Sequence, residues 1–317
     1  MVDKSNHETE EEDDPERKSS MRYGVTQLSG EWAQKAFREL KETPEAAEKG
    51  LAELKKLISK EPNLNAKTDD AFLLRFLRAK KFDVPKSFFT LQRYYQMKYE
   101  CPELFKVPRP SDKLHILNMQ CQSLLQHRDN NGSRVYIFRV EKCDVSQVSV
   151  EDVFCTNVMA LEMAVREPET QVAGVTAIVD MNGFGLQQHA KFLSPYYAKR
   201  TVDVVQETFP LRFKGFHVVN QPFYFDAVYS VLKPFLKEKI RKRIYLHGKD
   251  FKSLHNHVNK DILPLEYGGS DPFDNSHFKR SLLNLEDEFS EMEEYGFISL
   301  PTKIDEGRDI DKVSQDE

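Results

Sequence analysis

Asp180 closes the apolar run Val175-Thr-Ala-Ile-Val179, and the C-terminal end of a strand is where α/β enzymes place catalytic groups such as a carboxylate base. The motif around it supplies no His or Cys to work with, so the same carboxylate also reads as a cap or a bond to a loop amide. His255-Asn256-His257 offers two imidazoles in a polar stretch with no third ligand nearby. Cys101, Cys121, Cys143 and Cys155 have no CxxC spacing and read as reduced, partly buried thiols, which argues against a zinc site or a disulfide framework. The phosphate loop GxxxxGK(S/T) and the nucleophile elbow GxSxG are absent, and Asn182-Gly183-Phe184-Gly185 yields only GxG without a third glycine. The expectation is a protein that is not an enzyme and that holds no metal and no catalytic cofactor.

The chain instead concentrates cations beside apolar surface. Lys233 to Lys252 contains eight Lys and Arg against Glu238 and Asp250, a local net of +6, which suits an anionic partner. Directly before it, Phe225, Val228, Tyr229 and Leu232 fall at i, i+3, i+4 and i+7 on a helical pattern. A greasy helix face followed by cations fits an anionic bilayer, where aromatic groups enter the interface and Lys and Arg meet headgroups. The same stripe would serve a helix facing a core, and the cations alone would also suit a nucleic acid.

The charge distribution sharpens this. Residues 1 to 20 carry eight acidic and three basic groups, and residues 283 to 317 carry twelve and three, so an overall charge of −5 conceals +9 in residues 21 to 282. Both ends read as acidic, disordered or loosely docked tails, with Phe289 and Tyr295-Gly-Phe-Ile-Ser-Leu300 as their apolar exceptions. No apolar stretch approaches the roughly 18 residues of a spanning helix. The acidic start Glu8-Thr-Glu-Glu-Glu-Asp-Asp14 lacks the basic and apolar parts of a secretory signal, which points to the cytoplasm.

The elements that must position these residues fall into two groups. Trp32, Ala36, Phe37 and Leu40 have helical spacing, and Thr43-Pro44 opens a second helix with Leu51, Leu54, Leu57 and Ile58 on one stripe. Thr68-Asp69-Asp70 caps a third helix, in which Phe72 and Phe76, then Leu73 and Leu77, stack at i,i+4; Asp83-Val84-Pro85 starts a fourth. From about residue 113 the period changes. Val135–Val140, Val175–Asp180, Phe216–Asn220 and Arg243–His247 read as strands, with helices opened by Ser149 and by Ser194-Pro195 between them. The expected fold class is α/β: a small all-helical N-terminal unit on a mixed, mostly parallel sheet flanked by helices.

Several of these blocks resemble the CRAL-TRIO lipid-binding family. Thr68-Asp-Asp-Ala-Phe-Leu-Leu-Arg-Phe-Leu-Arg-Ala-Lys-Lys-Phe-Asp83 is similar to its N-terminal helical signature. Gln206-Glu-Thr-Phe-Pro-Leu-Arg-Phe213, Asn220-Gln-Pro222, Lys233-Pro-Phe-Leu-Lys-Glu-Lys239, Leu246-His-Gly248 and Ile262-Leu-Pro-Leu-Glu-Tyr-Gly-Gly269 are similar to its C-terminal blocks. The nearest branch by pattern is the one that holds tocopherol, retinaldehyde and clavesin proteins, and Glu294-Tyr-Gly-Phe-Ile-Ser-Leu-Pro301 looks clavesin-like.

The resemblance implies an acidic tail over 1–28, a helical domain over 29–108, a lipid-binding domain over 113–275 and an acidic tail over 276–317. It implies one apolar pocket lined by Phe154, Asn157, Leu161, Val175, Val179, Val204, Val205, Phe209 and Phe216, under a helical gate with Phe225, Val228 and Val231 at the opening. It places a phosphatidylinositol bisphosphate site on Lys80, Arg212, Lys239 and Arg243. The implied protein is a cytosolic monomer that holds one hydrophobic ligand, a retinoid, tocopherol or similar lipid, and docks reversibly on phosphoinositide membranes without binding nucleic acid. The alternative is a phosphoinositide sensor in endosomal or trans-Golgi trafficking without cargo transfer. Asn157 and Leu161 stand where the tocopherol carrier has two serines, which changes the volume and polarity of the pocket.

Overall fold

The computed structural model describes residues 28–301, apart from 106–108, 145, 186–191 and 193, with the backbone alone at Val228. The first unit is helical: α1 Gly30–Leu40, α2 Pro44–Ile58, α3 Asp70–Ala79, α4 Val84–Glu100 and the short α5 Pro102–Phe105. Their starts are written in the sequence. The Thr43 hydroxyl accepts from Ala46 N at 3.1 Å, Asp69 from Phe72 N at 2.9 Å and Asp83 from Lys86 N at 3.1 Å, each satisfying an amide that the first turn leaves unpaired. Phe72 and Phe76 pack 5.3 Å apart at a 60° tilt, and Phe76 meets Tyr94 edge-on at 5.8 Å, so α3 and α4 are joined by aromatic packing.

The second unit opens with α6 Leu114–Leu117 and is built on a five-stranded sheet in the order β2-β3-β4-β5-β6. Its strands are β2 Gln122–Arg128, β3 Arg134–Arg139, β4 Val175–Asp180, β5 Phe213–Val219 and β6 Ile244–Gly248. β2 runs antiparallel to β3, and the other pairs are parallel. The mixed, mostly parallel α/β class expected from the sequence is what forms. β2 was not anticipated, because Gln122-Ser-Leu-Leu-Gln-His-Arg128 is an edge strand with little β-branched content. It reaches β3 through a turn in which Asp129 accepts from Asn131 N and Ser133 N at 2.9 and 2.8 Å. Gly132 in that turn has φ +84°, and a Cβ there would come within 2.7 Å of the Trp32 ring, so the turn and α1 pack only over a glycine.

Helices α7 Val150–Val165, α8 Pro168–Ala173 and α9 Pro195–Asp203 connect the strands, and α9 runs into a wider π-turn at Val204–Thr208. Ser149 caps α7 through Asp152 N at 3.0 Å, and Ser194 caps α9 through Tyr197 N at 3.4 Å. After β5 come α10 Phe225–Leu232, a 3-10 turn Lys233–Phe235 and α11 Glu238–Arg241; α12 Phe251–His255 follows β6. Strand alternation then gives the sheet two faces. Val135, Ile137, Ile178 and Val219 bury against Leu254, Val258, Leu263, Tyr267 and Phe273. Tyr136, Phe138, Val179 and Phe216 point the other way, toward α7 and α10.

The segment expected to be an acidic tail is, from residue 276 to 301, part of the folded body. It forms α13 Ser276–Leu283, α14 Glu286–Glu291 and β7 Gly296–Phe297, and β7 pairs antiparallel with β1 Leu64–Asn65 of the helical unit. Phe278, Leu282, Leu285, Phe289 and Met292 are buried in the main core. Their spacing of four, three, four and three is a helical stripe; the intervening Glu286, Asp287, Glu288 and Glu291 masked it by dominating the composition. The acidic ends proper, 1–27 and 302–317, lie outside the described residues.

Candidate functional site

Asp180 is committed to architecture. Its carboxylate accepts from Asn182 N at 3.0 Å, Asn220 Nδ2 at 2.8 Å and the Tyr267 hydroxyl at 2.8 Å, tying the ends of β4 and β5 to the turn that carries Tyr267. The His255 ring nitrogen lies 2.8 Å from the Tyr267 carbonyl, while the His257 ring packs at a 40° tilt against Tyr245 with centroids 4.4 Å apart, so the two imidazoles serve different contacts. All four cysteines are buried and none is in a disulfide.

The expected pocket residues gather on one side of the sheet. Leu161, Val175, Val204 and Phe209 are buried in the main cluster, and Phe154, Val205 and Phe216 are partly buried against it. Val179 belongs instead to the cluster of Val140, Met181, Phe184, Val218 and Phe225, which ties it to the gate helix α10. The Phe209 ring turns to Tyr94 of the helical unit, with centroids 5.8 Å apart. Tyr136, Phe138, Val179 and Phe216 sit on the three inner strands yet stay half-buried. On α7, Phe154 and Asn157 do the same between buried Val153, Cys155, Thr156 and Val158. Side chains in the middle of a covered sheet retain access only where the layer above them is not filled by protein, because interiors otherwise pack to crystal-like density. A surface cleft of about 670 Å³ between Tyr99, Tyr295 and Ile298 is lined by none of these residues.

One polar chain enters this apolar space. The Tyr136 hydroxyl lies 2.7 Å from Asn157 Oδ1 and 2.9 Å from Gln122 Oε1, but a phenol has one proton to donate, and buried Gln122 Nε2 has no partner. Turning the Gln122 amide over lets its nitrogen donate to Tyr136, which donates to Asn157 Oδ1. Burial, then the nearby Cys121 and Cys143 thiols, pushes the Tyr136 phenol far up and keeps it neutral. In this arrangement Asn157 uses its Oδ1 as the acceptor for Tyr136.

Helix α10, the expected gate, is lightly seated. Phe225 is its one clearly buried side chain among those described, Val231 is half-buried, and the Val228 side chain lies outside the described residues. At its start the Tyr224 hydroxyl donates to the Phe184 carbonyl. At its far end Gln206 acts as a strap: its Nε2 donates to Phe235 O at 3.1 Å and its Oε1 accepts from Lys237 N at 2.6 Å.

Beyond that strap the cations assemble. The Lys80 ammonium is held below its ordinary pKa by burial and by the fields of Lys237, Lys239 and Lys86, with Glu207 opposing. Glu207 bridges Lys237 at 3.0 Å and lies 3.8 Å from Arg93. Lys80 and Lys239 therefore act on one another electrostatically; Lys237 and Glu207 join them and were not among the expected site residues, although both fall inside blocks already singled out. Arg243 donates to the Phe213 carbonyl, on the residue next to Arg212. Arg212 is engaged elsewhere: Nη2 donates to Glu39 at 2.6 Å and Nη1 to Val172 O at 2.8 Å. Burial would raise the Glu39 carboxyl, but hydrogen bonds from Lys35 and Arg212 and the charge of Lys214 outweigh it and bring its pKa down to about 2. Nothing in the sequence signalled Glu39, which is 173 residues from Arg212.

Fold and site together describe an α/β module with half-buried apolar side chains on its inner strands, a lightly seated helix α10 over them, and cations contributed by both units. Residues 117–269 match the CRAL/TRIO domain, and 43–113 match the Pinta-like UBA domain. The chain is 37% identical over 267 residues to alpha-tocopherol transfer protein-like of Homo sapiens, covering 84% of this chain and 78% of that one. It is 35% identical over 289 residues to clavesin-2 of Mus musculus, covering 90% and 86%. The solved structure of Sfh5 aligns with 84% of this chain and 99% of its own, at 15% identity and a TM-score of 0.47. The chain belongs to the CRAL/TRIO family.

Proposed function

We propose that this protein is a non-enzymatic lipid carrier, which holds one hydrophobic ligand between the sheet, α7 and α10 and exchanges it at membranes that it meets through the surface of Lys80, Arg212, Lys239 and Arg243. The observation that carries this is the half-exposed apolar lining on inner strands, adjoining both a thinly packed helix and the cations. The match to a tocopherol-transfer-like relative and to clavesins supports the same reading.

A lipid with around 400 Å² of apolar surface gains roughly 10 kcal/mol on leaving water at about 25 cal/mol per Å², and almost nothing on leaving a bilayer. The pocket has to compete with the membrane alone, so a gate that opens in contact with the bilayer keeps the ligand dry on both sides. Asn157 favours a cargo with an oxygen acceptor within its hydrocarbon, a hydroxyl or carbonyl, over a pure hydrocarbon. A phosphatidylinositol bisphosphate headgroup carries several negative charges, enough to engage Lys80 and Lys239 and to displace Glu39 from Arg212.

The test combines native mass spectrometry of protein purified from eukaryotic cells, with solvent extraction, and sedimentation with phosphatidylcholine vesicles with and without phosphatidylinositol bisphosphate. A single co-purifying oxygenated lipid, with vesicle binding lost in the Lys239→Glu, Arg243→Glu double variant, is the expected result. A folded but empty protein that still binds the vesicles would replace the carrier with a phosphoinositide sensor; unchanged sedimentation of the double variant would remove the surface from the function.

A further inference from the structure

Phe225 at the start of α10 and Ile240 in α11 are buried, and none of the described side chains from 226 to 239 is. A segment with so little apolar anchorage depends on polar ties, and Gln206 supplies two. Its Nε2 donates to Phe235 O at 3.1 Å, and its Oε1 accepts from Lys237 N at 2.6 Å. Leu236 between them is extended, with φ −83° and ψ 124°, so one carboxamide pairs with this stretch as the edge of a neighbouring strand would. The tie spans 29 and 31 residues of sequence. The local bonds of the segment, Leu236 N to Lys233 O and Ile240 N to Lys237 O, do not involve Gln206, so cutting the tie leaves its turns intact.

The tie is carried by a π-turn. Val204–Thr208 is closed by Phe209 N donating to Val204 O at 3.1 Å, and such wide turns occur mostly as single bulges at functional sites. The turn divides its residues between two jobs. Val204 and Val205 pack with Phe209 in the main core, whereas Gln206 and Glu207 are half-buried and reach the end of the α10 segment. The fully buried Thr208 hydroxyl has no hydrogen-bond partner, so packing holds the turn in this register against the cost of an unpaired polar group. Glu207 adds an ion pair to Lys237 at 3.0 Å, but the Lys237 side chain is 63% exposed and a bridge so open to water contributes little. The two bonds of Gln206 to the backbone are the specific part of the contact.

We propose that Gln206 is the latch of α10: a positioning residue whose side-chain amide holds Phe235 and Lys237 to the π-turn and sets how often the segment from 226 to 239 leaves the body. With the latch closed, Phe225 and Tyr229 pack with Phe138 and Val179 of the inner strands. With it open, the buried Phe225 and the bond from the Tyr224 hydroxyl to Phe184 O still hold the start of α10, so the segment swings about that end. Opening exchanges two protein hydrogen bonds for bonds to water, a modest net cost that permits frequent excursions. That an open α10 admits a lipid rests on the carrier reading; the latch itself does not.

The experiment compares the full chain with Gln206→Ala, which removes both bonds, and with Gln206→Glu, which keeps the acceptor for Lys237 N and loses the donor to Phe235 O. In hydrogen exchange read by mass spectrometry, the amides of 226–239 should exchange on the order of tenfold faster in Gln206→Ala, the factor that two lost bonds of modest net worth imply. Gln206→Glu should fall between the two proteins, and the amides of β3 and β4 should not change. Unchanged exchange over 226–239 overturns the latch, and so does an acceleration shared equally by β3 and β4, which would make Gln206 a general stabilising residue. The same three proteins are then offered retinol in phosphatidylcholine vesicles, and uptake is followed by retinol fluorescence in the separated protein. Uptake should quicken in the order parent, Gln206→Glu, Gln206→Ala. Faster hydrogen exchange without faster uptake would keep the latch and overturn α10 as the entrance to a lipid site, and the carrier reading with it.

Discussion

Glu39 is the residue on which two properties of the basic surface meet. Its carboxyl titrates at about 2 in the folded chain against an ordinary 4.5, so the interaction is complete above pH 4.5 and is lost as the pH falls from there toward 2. A shift of that size corresponds to a little over 3 kcal/mol, and partial exposure of the group screens it to roughly 1 kcal/mol. Glu39→Gln should therefore lower the unfolding free energy by about 1 kcal/mol at pH 7, with the difference from the parent protein shrinking below pH 4.5. Urea titrations at pH 7 and pH 3 measure this. The same change releases Arg212 and Lys214, so the variant should bind phosphatidylinositol bisphosphate vesicles more tightly while being less stable. A tighter and weaker protein at once separates a restrained binding residue from a merely structural one.

Among the elements, the α13 to β7 segment is tied both to the main core and to β1 of the helical unit. Phe289 is 1% exposed, sits beneath the Arg166 guanidinium at 5.2 Å and belongs to the same core as Phe72 and Tyr94. Asn65 Nδ2 donates to Glu294 O at 2.8 Å, and Lys98 Nζ donates to Tyr295 O at 3.1 Å, so the segment clasps the helical unit from outside. Phe289→Ala should cost about 3 to 4 kcal/mol in unfolding free energy, as large-to-small core changes do, and hydrogen exchange should show faster opening of β7 and of the amides near Leu64. An exposed, loosely attached segment would give less than 0.5 kcal/mol. Helix α10, the expected gate, stands at the other extreme: Phe225 is its one clearly buried anchor among the described side chains, and lightly anchored elements of this kind are where motion is usually found.

At the scale of the whole molecule, the proposed carrier function would couple cargo and membrane through α10. The α10 stripe closes on Val179 inside, and the turn that ends it is strapped by Gln206 next to Glu207 and Lys237 on the basic surface. If headgroups favour the open gate, reciprocity requires the cargo to change headgroup affinity by the same factor by which the headgroup changes cargo affinity. Titrating lipid-loaded and delipidated protein with phosphatidylinositol bisphosphate vesicles should give dissociation constants differing about five-fold or more, in the usual range of such couplings. Equal constants would uncouple the two sites.

The sequence by itself determined whatever rests on local chemistry. Thr43, Asp69, Asp83, Ser149 and Ser194 announced their helices because a capping side chain acts within three residues. β3 and β4 were legible from β-branched alternation, and Lys239 and Arg243 from charge clustering. The placement of Lys80 and of most pocket residues came from resemblance to a family. Tertiary structure alone decided the rest, because those facts depend on pairs far apart in the chain. It bound Arg212 to Glu39, joined Tyr136 to Gln122 and Asn157, and turned an acidic stretch into a clasp on the helical unit. Such contacts leave no local periodicity or composition to read: a carboxylate that neutralises a cation across 173 residues looks, along the chain, like any other surface glutamate.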